Sequence, residues 1–212
     1  MAQRTVHALF CEQICRELSL QDPERFLFGM LLPDAAEPGQ RDITHYKVRT
    51  AERVYYDFAR FRQEFAREML RDELYLGYYL HLVEDALYRM FVYAPRFRMP
   101  KTAEEIAVLH RDYRILNAHI IQAYGLQSRL TRHTDIKGSP LLRMADFRTE
   151  ELTEEFARDF TDKPAGETHF LTEKMLEEFL ETAVPAVIEE AKRWKNGGTL
   201  FTPQDFSWAR RR

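Results

Sequence analysis

Apolar residues recur at three- and four-residue intervals along most of this chain, and few stretches alternate apolar with polar for long. That period belongs to helices, so the pattern predicts an all-α fold. The first helix spans about Arg4 to Leu20, with Val6, Phe10, Ile14 and Leu18 as its buried stripe. A second opens at Asp22-Pro23, a side-chain cap followed by proline in the first helical position, and stops at Leu32-Pro33. Pro38, Gly39 and neighbouring charges make residues 35–44 a loop. A helix from about Val48 to Leu70 follows, carrying Val54, Phe58, Phe61 and Phe65 on one side, and then a central helix from Asp72-Glu73 toward Tyr93. The central helix is apolar around much of its circumference, which places it among neighbours on several sides.

Residues 94–100, with Pro95 and Pro100, read as a break, after which Thr102 and Glu105 form a capping-box pattern and a helix runs to Tyr124-Gly125. Shorter helices are expected around Leu141 to Phe147 and Thr149 to Phe160, and a long one from about Thr168 to Trp194, where Pro185 predicts a kink. No Pro/Gly/Ser-rich linker divides the 212 residues, so residues 1–212 read as one multi-helix domain. Lys and Arg number 31 against 34 Asp and Glu, a formal charge of −3. Such a balance offers no basic field and argues against a nucleic-acid partner. The apolar runs are too short to span a bilayer and the start lacks a secretory pattern, so a cytoplasmic location is expected. Cys11 and Cys15, four apart in a helical segment, read as small buried apolar residues.

Against this background the central helix carries an unusual pair. His81 and Asp85 are one turn apart on one face, where an imidazole and a carboxylate can close on a single metal ion. Glu84 sits beside them, and polar groups in so apolar a helix need partners or a metal. Asp34 after Leu32-Pro33, His45 after Thr44, and His7 in the first helix offer further donors at helices or helix ends. A bundle assembles metal sites from facing elements in this way. Nitrogen and oxygen donors favour zinc, with iron or manganese as alternatives. Arg89, one turn beyond Asp85, is expected either to pair with that carboxylate or to hold a phosphate oxygen. His110 is a further possible donor; it lies two residues from Asp112, so at most one of the two points inward. His119, His133 and His169 lack a partner at useful spacing.

The ordered series of His7, Phe28-Gly29-Met30-Leu31-Leu32-Pro33-Asp34, Thr44-His45-Tyr46 and Leu80-His81-Leu82-Val83-Glu84-Asp85 resembles the zinc-dependent phospholipase C superfamily. That superfamily also includes the fungal single-strand nucleases. The resemblance covers about the first 90 residues and implies an all-α fold of the phospholipase C and nuclease type. It further implies that Asp34, His45, His81 and Asp85 hold one zinc, with His7 serving a neighbouring site. The chain departs from the family pattern in three places. No Trp precedes Trp194, no His follows the His81–Asp85 pair within a few residues, and His110 is followed four residues on by Arg114. One or two ions are therefore expected in place of three.

The resulting expectation is a metal-dependent hydrolase of a phosphoester, either a phospholipid headgroup or a small-molecule ester. An ion activates water and polarises the phosphoryl group, Asp34 serves as general base, and Arg89, Tyr46, Tyr78 and Tyr88 shape the pocket. The alternative is an intracellular helical binding or regulatory protein with a structural or vestigial metal site. Oligomeric state is not readable from the chain.

Overall fold

The structure, a computed structural model, describes residues 2–93, 102–130, 135–162 and 164–209. Helices dominate: α1 (Arg4–Glu17), α2 (Pro23–Leu31), α3 (Arg41–Thr44), α4 (Phe58–Glu64), α5 (Ala66–Met69), α6 (Glu73–Tyr88), α7 (Ala103–Tyr124), α8 (Thr149–Asp159) and α9 (Glu173–Lys195). A small antiparallel sheet of β1 (Lys47–Arg49), β2 (Arg53–Tyr56) and β3 (Trp208–Ala209) accompanies them. Short polar side chains set several helix starts by accepting an otherwise orphaned backbone N–H. Asp22 accepts from Arg25 at the start of α2, Asp72 from Leu74 at α6, Thr102 from Glu105 at α7 and Thr172 from Met175 at α9.

Helix α6 is the axle of the fold, buried at every position from Leu74 to Tyr88. Its closest neighbour is α2, and glycines permit the approach. A Cβ on Gly77 would lie 2.2 Å from the Phe26 carbonyl oxygen, and one on Gly29 would lie 2.0 Å from that of Leu74. Helix α1 packs on α2, α7 and α9, burying Val6, Phe10 and Ile14 as the apolar stripe requires. A single hydrophobic cluster runs through these helices.

Two expectations of helix are corrected. The segment from Val48 is a hairpin before it is a helix, with Lys47 opposite Tyr56 and Arg49 opposite Val54. The Thr50 hydroxyl accepts from the Arg53 N–H in its turn, Val54 and Tyr56 alternate into the core, and Asp57 then caps α4. The apolar spacing of Val54, Phe58, Phe61 and Phe65 thus spans a strand, a cap and a helix. Between Leu141 and Phe147, Pro140–Arg143 forms only a 3-10 turn. Helix α6 gives way at Arg89–Tyr93 to a π-helical turn, and α9 runs through Pro185. The expected break at 94–100 lies outside the described residues.

Two buried carboxylates outside the metal-capable group fasten loops to the core. Asp112 on α7 accepts from the backbone N–H groups of His169, Phe170 and Leu171, which delays the start of α9 to Glu173. Glu190 on α9 accepts from the Tyr79 hydroxyl and from the N–H groups of Leu200 and Phe201. The chain after α9 is thereby turned back so that Trp208 pairs with Val54. Among the described residues no helix is long and apolar enough to cross a membrane.

Candidate metal centre

His81 projects from the middle of α6, where the glycine-mediated contact with α2 brings the last turn of that helix alongside. Carbonyls in a last turn have no partner within their own helix. The Met30 carbonyl accepts from His81 Nδ1 at 2.7 Å. His45 lies at the C-terminal end of α3, and its Nδ1 donates to the Arg41 carbonyl at 2.9 Å. The Thr44 hydroxyl, donating to the Pro33 carbonyl at 2.9 Å, and the Tyr78 hydroxyl, donating to the Thr44 carbonyl at 2.7 Å, hold α3 in place. Tyr46, with φ of 49°, then turns the chain sharply out of α3 into the hairpin.

A carbonyl only accepts, so both Nδ1 atoms carry the hydrogen and, in the neutral rings, both Nε2 atoms are bare lone pairs. These two atoms face each other at 3.2 Å. Two lone pairs at that distance repel unless a cation lies between them. A shared proton is one solution, but burial, with His7 beside it, pushes the His81 pKa down to about 3. A metal ion is the solution that the remaining donors favour. Asp34 Oδ1 and Asp85 Oδ2 each lie 3.5 Å from His45 Nε2, and Asp85 Oδ2 lies 3.9 Å from His81 Nε2. Donors about 2.0–2.2 Å from a tetrahedral ion stand about 3.3–3.6 Å from one another, close to the observed spread.

The orphaned atoms point the same way. Asp85 Oδ1 accepts the Ala2 backbone N–H at 2.8 Å, whereas Oδ2 is buried without a hydrogen-bond partner. His7 stacks on His81 with ring centroids 4.2 Å apart. Its Nδ1 is 2.8 Å from Glu84 Oε2, and its Nε2 is buried and unsatisfied. A carboxylate behind a histidine in this manner fixes the ring and leaves the far nitrogen for a metal. Two overlapping donor groups result, His7 with Asp34 and His81, and His45 with His81 and Asp85. Burial works against the charges of Asp34 and Asp85. The hydrogen bond with His45, the nearby imidazoles and the Arg41 guanidinium outweigh it for Asp34, and the chain's amino terminus together with the imidazoles does so for Asp85, so both stay below the ordinary carboxylate range. Glu84 is pushed well up by burial and by the nearby Asp85 and Asp34 charges.

The five sequence-derived donors therefore fall into these two overlapping groups of three, which could hold a metal ion. The chain matches no family model, no curated protein and no solved structure with which it was compared. The site stands on its own geometry.

Other expected contributors fall elsewhere. The Arg89 guanidinium carbon lies 4.7 Å from the centre of the Trp208 ring. Tyr46 donates to Glu64, Tyr78 to Thr44, and Tyr88 is buried in the core. Tyr56 is the aromatic neighbour, its ring 5.9 Å from that of His45. His110 is exposed and belongs to neither donor group, while Asp112 is the inward member of that pair. His119 meets Glu173 and Glu177, and His133 lies outside the described residues. Sequence reading missed Arg41, whose carbonyl orients His45 and whose guanidinium Nη2 is 3.2 Å from Asp34 Oδ1.

Proposed function

We propose that this chain is a metal-dependent hydrolase of phosphoesters, built around one divalent ion, with zinc the first candidate and iron or manganese next. The observation that carries the reading is the confrontation of the His45 and His81 Nε2 atoms at 3.2 Å, each with its other nitrogen spent on a backbone carbonyl. One ion is favoured over two because the donor groups share His81, whose Nε2 has a single lone pair to give. The donor set contains no thiolate, since Cys11 Sγ meets Cys15 Sγ and the Pro23 carbonyl instead. Mixed nitrogen and oxygen donors suit the named metals. The order of these donors along the chain supports an all-helical ancestry of the phospholipase C and nuclease type.

When bound there, a divalent ion supplies Lewis-acid polarisation of a phosphoryl oxygen and makes water more acidic. The chain's own groups do the rest. His45 and His81, locked by their carbonyl partners, present fixed nitrogens, and Glu84 orients His7 in the same sense. Asp34 has its side chain 8% exposed and borders an open cavity, so it is the donor placed to take a proton from water approaching substrate. Asp85, held by the Ala2 N–H, contributes charge from the buried side.

Elemental analysis of purified protein tests the reading. Wild type is expected to hold about one equivalent of zinc, iron or manganese, and His81→Ala and Asp85→Ala to lose it while staying helical. A metal-free wild type whose variants fold normally would sink the idea. Assay of the loaded protein against phosphomonoesters, phosphodiesters and phospholipids then separates an enzyme from a binding protein with a structural ion, for which no turnover is expected.

A further inference from the structure

Asp34 and Arg41 stand at the edge of a cavity of about 830 Å³, bounded by the start of α1, by α7 and by α8. Its size lies within the roughly 300–1,000 Å³ usual for small-molecule sites. The walls are about half polar and include Arg4, His110, Arg114 and Asn117. Three of the lining residues are arginines, and they differ in how far they are already committed. Arg4 is tied to Glu155 and to Asp159, each at 2.7 Å. Arg114 reaches Asp162 only at 3.7 Å, with both side chains about half exposed. The Arg41 side chain is 52% exposed, and among the described residues its only acidic partner is Asp34, at 3.2 Å.

That partner is itself a proposed ligand and proton acceptor. Once Asp34 is engaged in that role, its charge is shared and the Arg41 guanidinium is left half-solvated beside the reacting position. A guanidinium presents a planar fork that matches two phosphoryl oxygens, which suits it to an anion delivered there. The side chain has no share in holding His45, because the Arg41 backbone carbonyl does that. Its removal therefore leaves the backbone hold on His45 in place, and zinc content reports whether Asp34 still serves.

We infer that Arg41 is the anion-recognition residue of this centre and that the adjoining cavity receives the remainder of a phosphate ester with a compact polar body. This rests on the metal-site reading above. Arg114 stands on the α7 wall as a second, weaker attraction, and Arg89, over the Trp208 ring, is not among the residues that line this cavity.

The test uses zinc-loaded full-length protein and inorganic phosphate as the probe, followed by titration calorimetry. Zinc content is measured first on wild type, Arg41→Ala, Arg41→Lys and Arg89→Ala. Equal zinc in all four, with phosphate binding weakened about tenfold or more in Arg41→Ala, less in Arg41→Lys and not in Arg89→Ala, is the expected result. Equal zinc with unchanged phosphate affinity in Arg41→Ala overturns the assignment. Absence of zinc from wild type instead overturns the metal reading, and this proposal with it. Competition distinguishes the source of the ester. Displacement of phosphate by glycerol 3-phosphate points to a soluble ester, and displacement only by phosphatidylcholine vesicles points to a lipid headgroup. Failure of both overturns the role of the cavity.

Discussion

His81 and Asp85 were legible from sequence because a four-residue spacing in an apolar helix has few innocent explanations, and the structure places both side chains where that spacing implies. Glu84 was visible as a charge needing a partner, but its partner was not, since His7 lies 77 positions away and only the packing of α1 on α6 brings the rings together. Arg41 left no signal at all. Its value comes from the loop after α2 folding back on Asp34, and nothing in the local pattern encodes that. The Glu84–His7 pair gives a sharp expectation. Glu84→Gln preserves shape while replacing the carboxyl group that meets His7 Nδ1, and should weaken zinc binding by about 10- to 100-fold in competition with a fluorescent chelator. Unchanged affinity would remove His7 from the donor set.

Helices were read from the chain wherever a cap and an apolar stripe agreed, as at Asp22-Pro23, Asp72 and Thr102. The hairpin of β1 and β2 escaped because Val54 falls by chance in register with the helical stripe that begins at Phe58. Its β-branched and aromatic neighbours, and Asp57 as a cap, were the signals that outweighed the spacing. The glycine crossing of α2 and α6 was equally silent, although Gly29 and Gly77 decide whether the two helices touch. Gly77→Ala should gain a little helix propensity and lose far more to overlap with the Phe26 carbonyl. A net loss of about 3 kcal/mol is expected, seen as a lower urea midpoint at unchanged slope. A neutral result would mean that the crossing can relax, and that the His81 bond to Met30 does not depend on it.

At the scale of the molecule, the all-α expectation holds in its main part, with a three-stranded sheet added to a mostly helical body. Pattern reading finds a core but not what the core does with its polar edges, and here the edges include buried phenols. Burial raises the pKa values of Tyr56, Tyr78, Tyr79 and Tyr88. A group whose folded pKa is raised contributes stability that is intact below its unfolded value and is lost as pH climbs above it. The fold should therefore hold to about pH 10 and weaken beyond. Phenolate absorbance should rise together with loss of helical circular dichroism. Phenolate forming well before the helices melt would show that these hydroxyls are more accessible than their packing indicates.

The burial of the donors also bears on how fast an ion comes and goes. His7, His45, His81 and Asp85 are at most 1% exposed, whereas Asp34 borders the cavity with Arg41 leaning on it. Among the described residues, that side is where a chelator would reach a bound ion, past a cation that repels incoming metal and attracts anionic extractants. Exchange of a bound ion would then be governed by access at Asp34 rather than by affinity alone, and such a centre would be slow to load and slow to strip even where its equilibrium binding is ordinary.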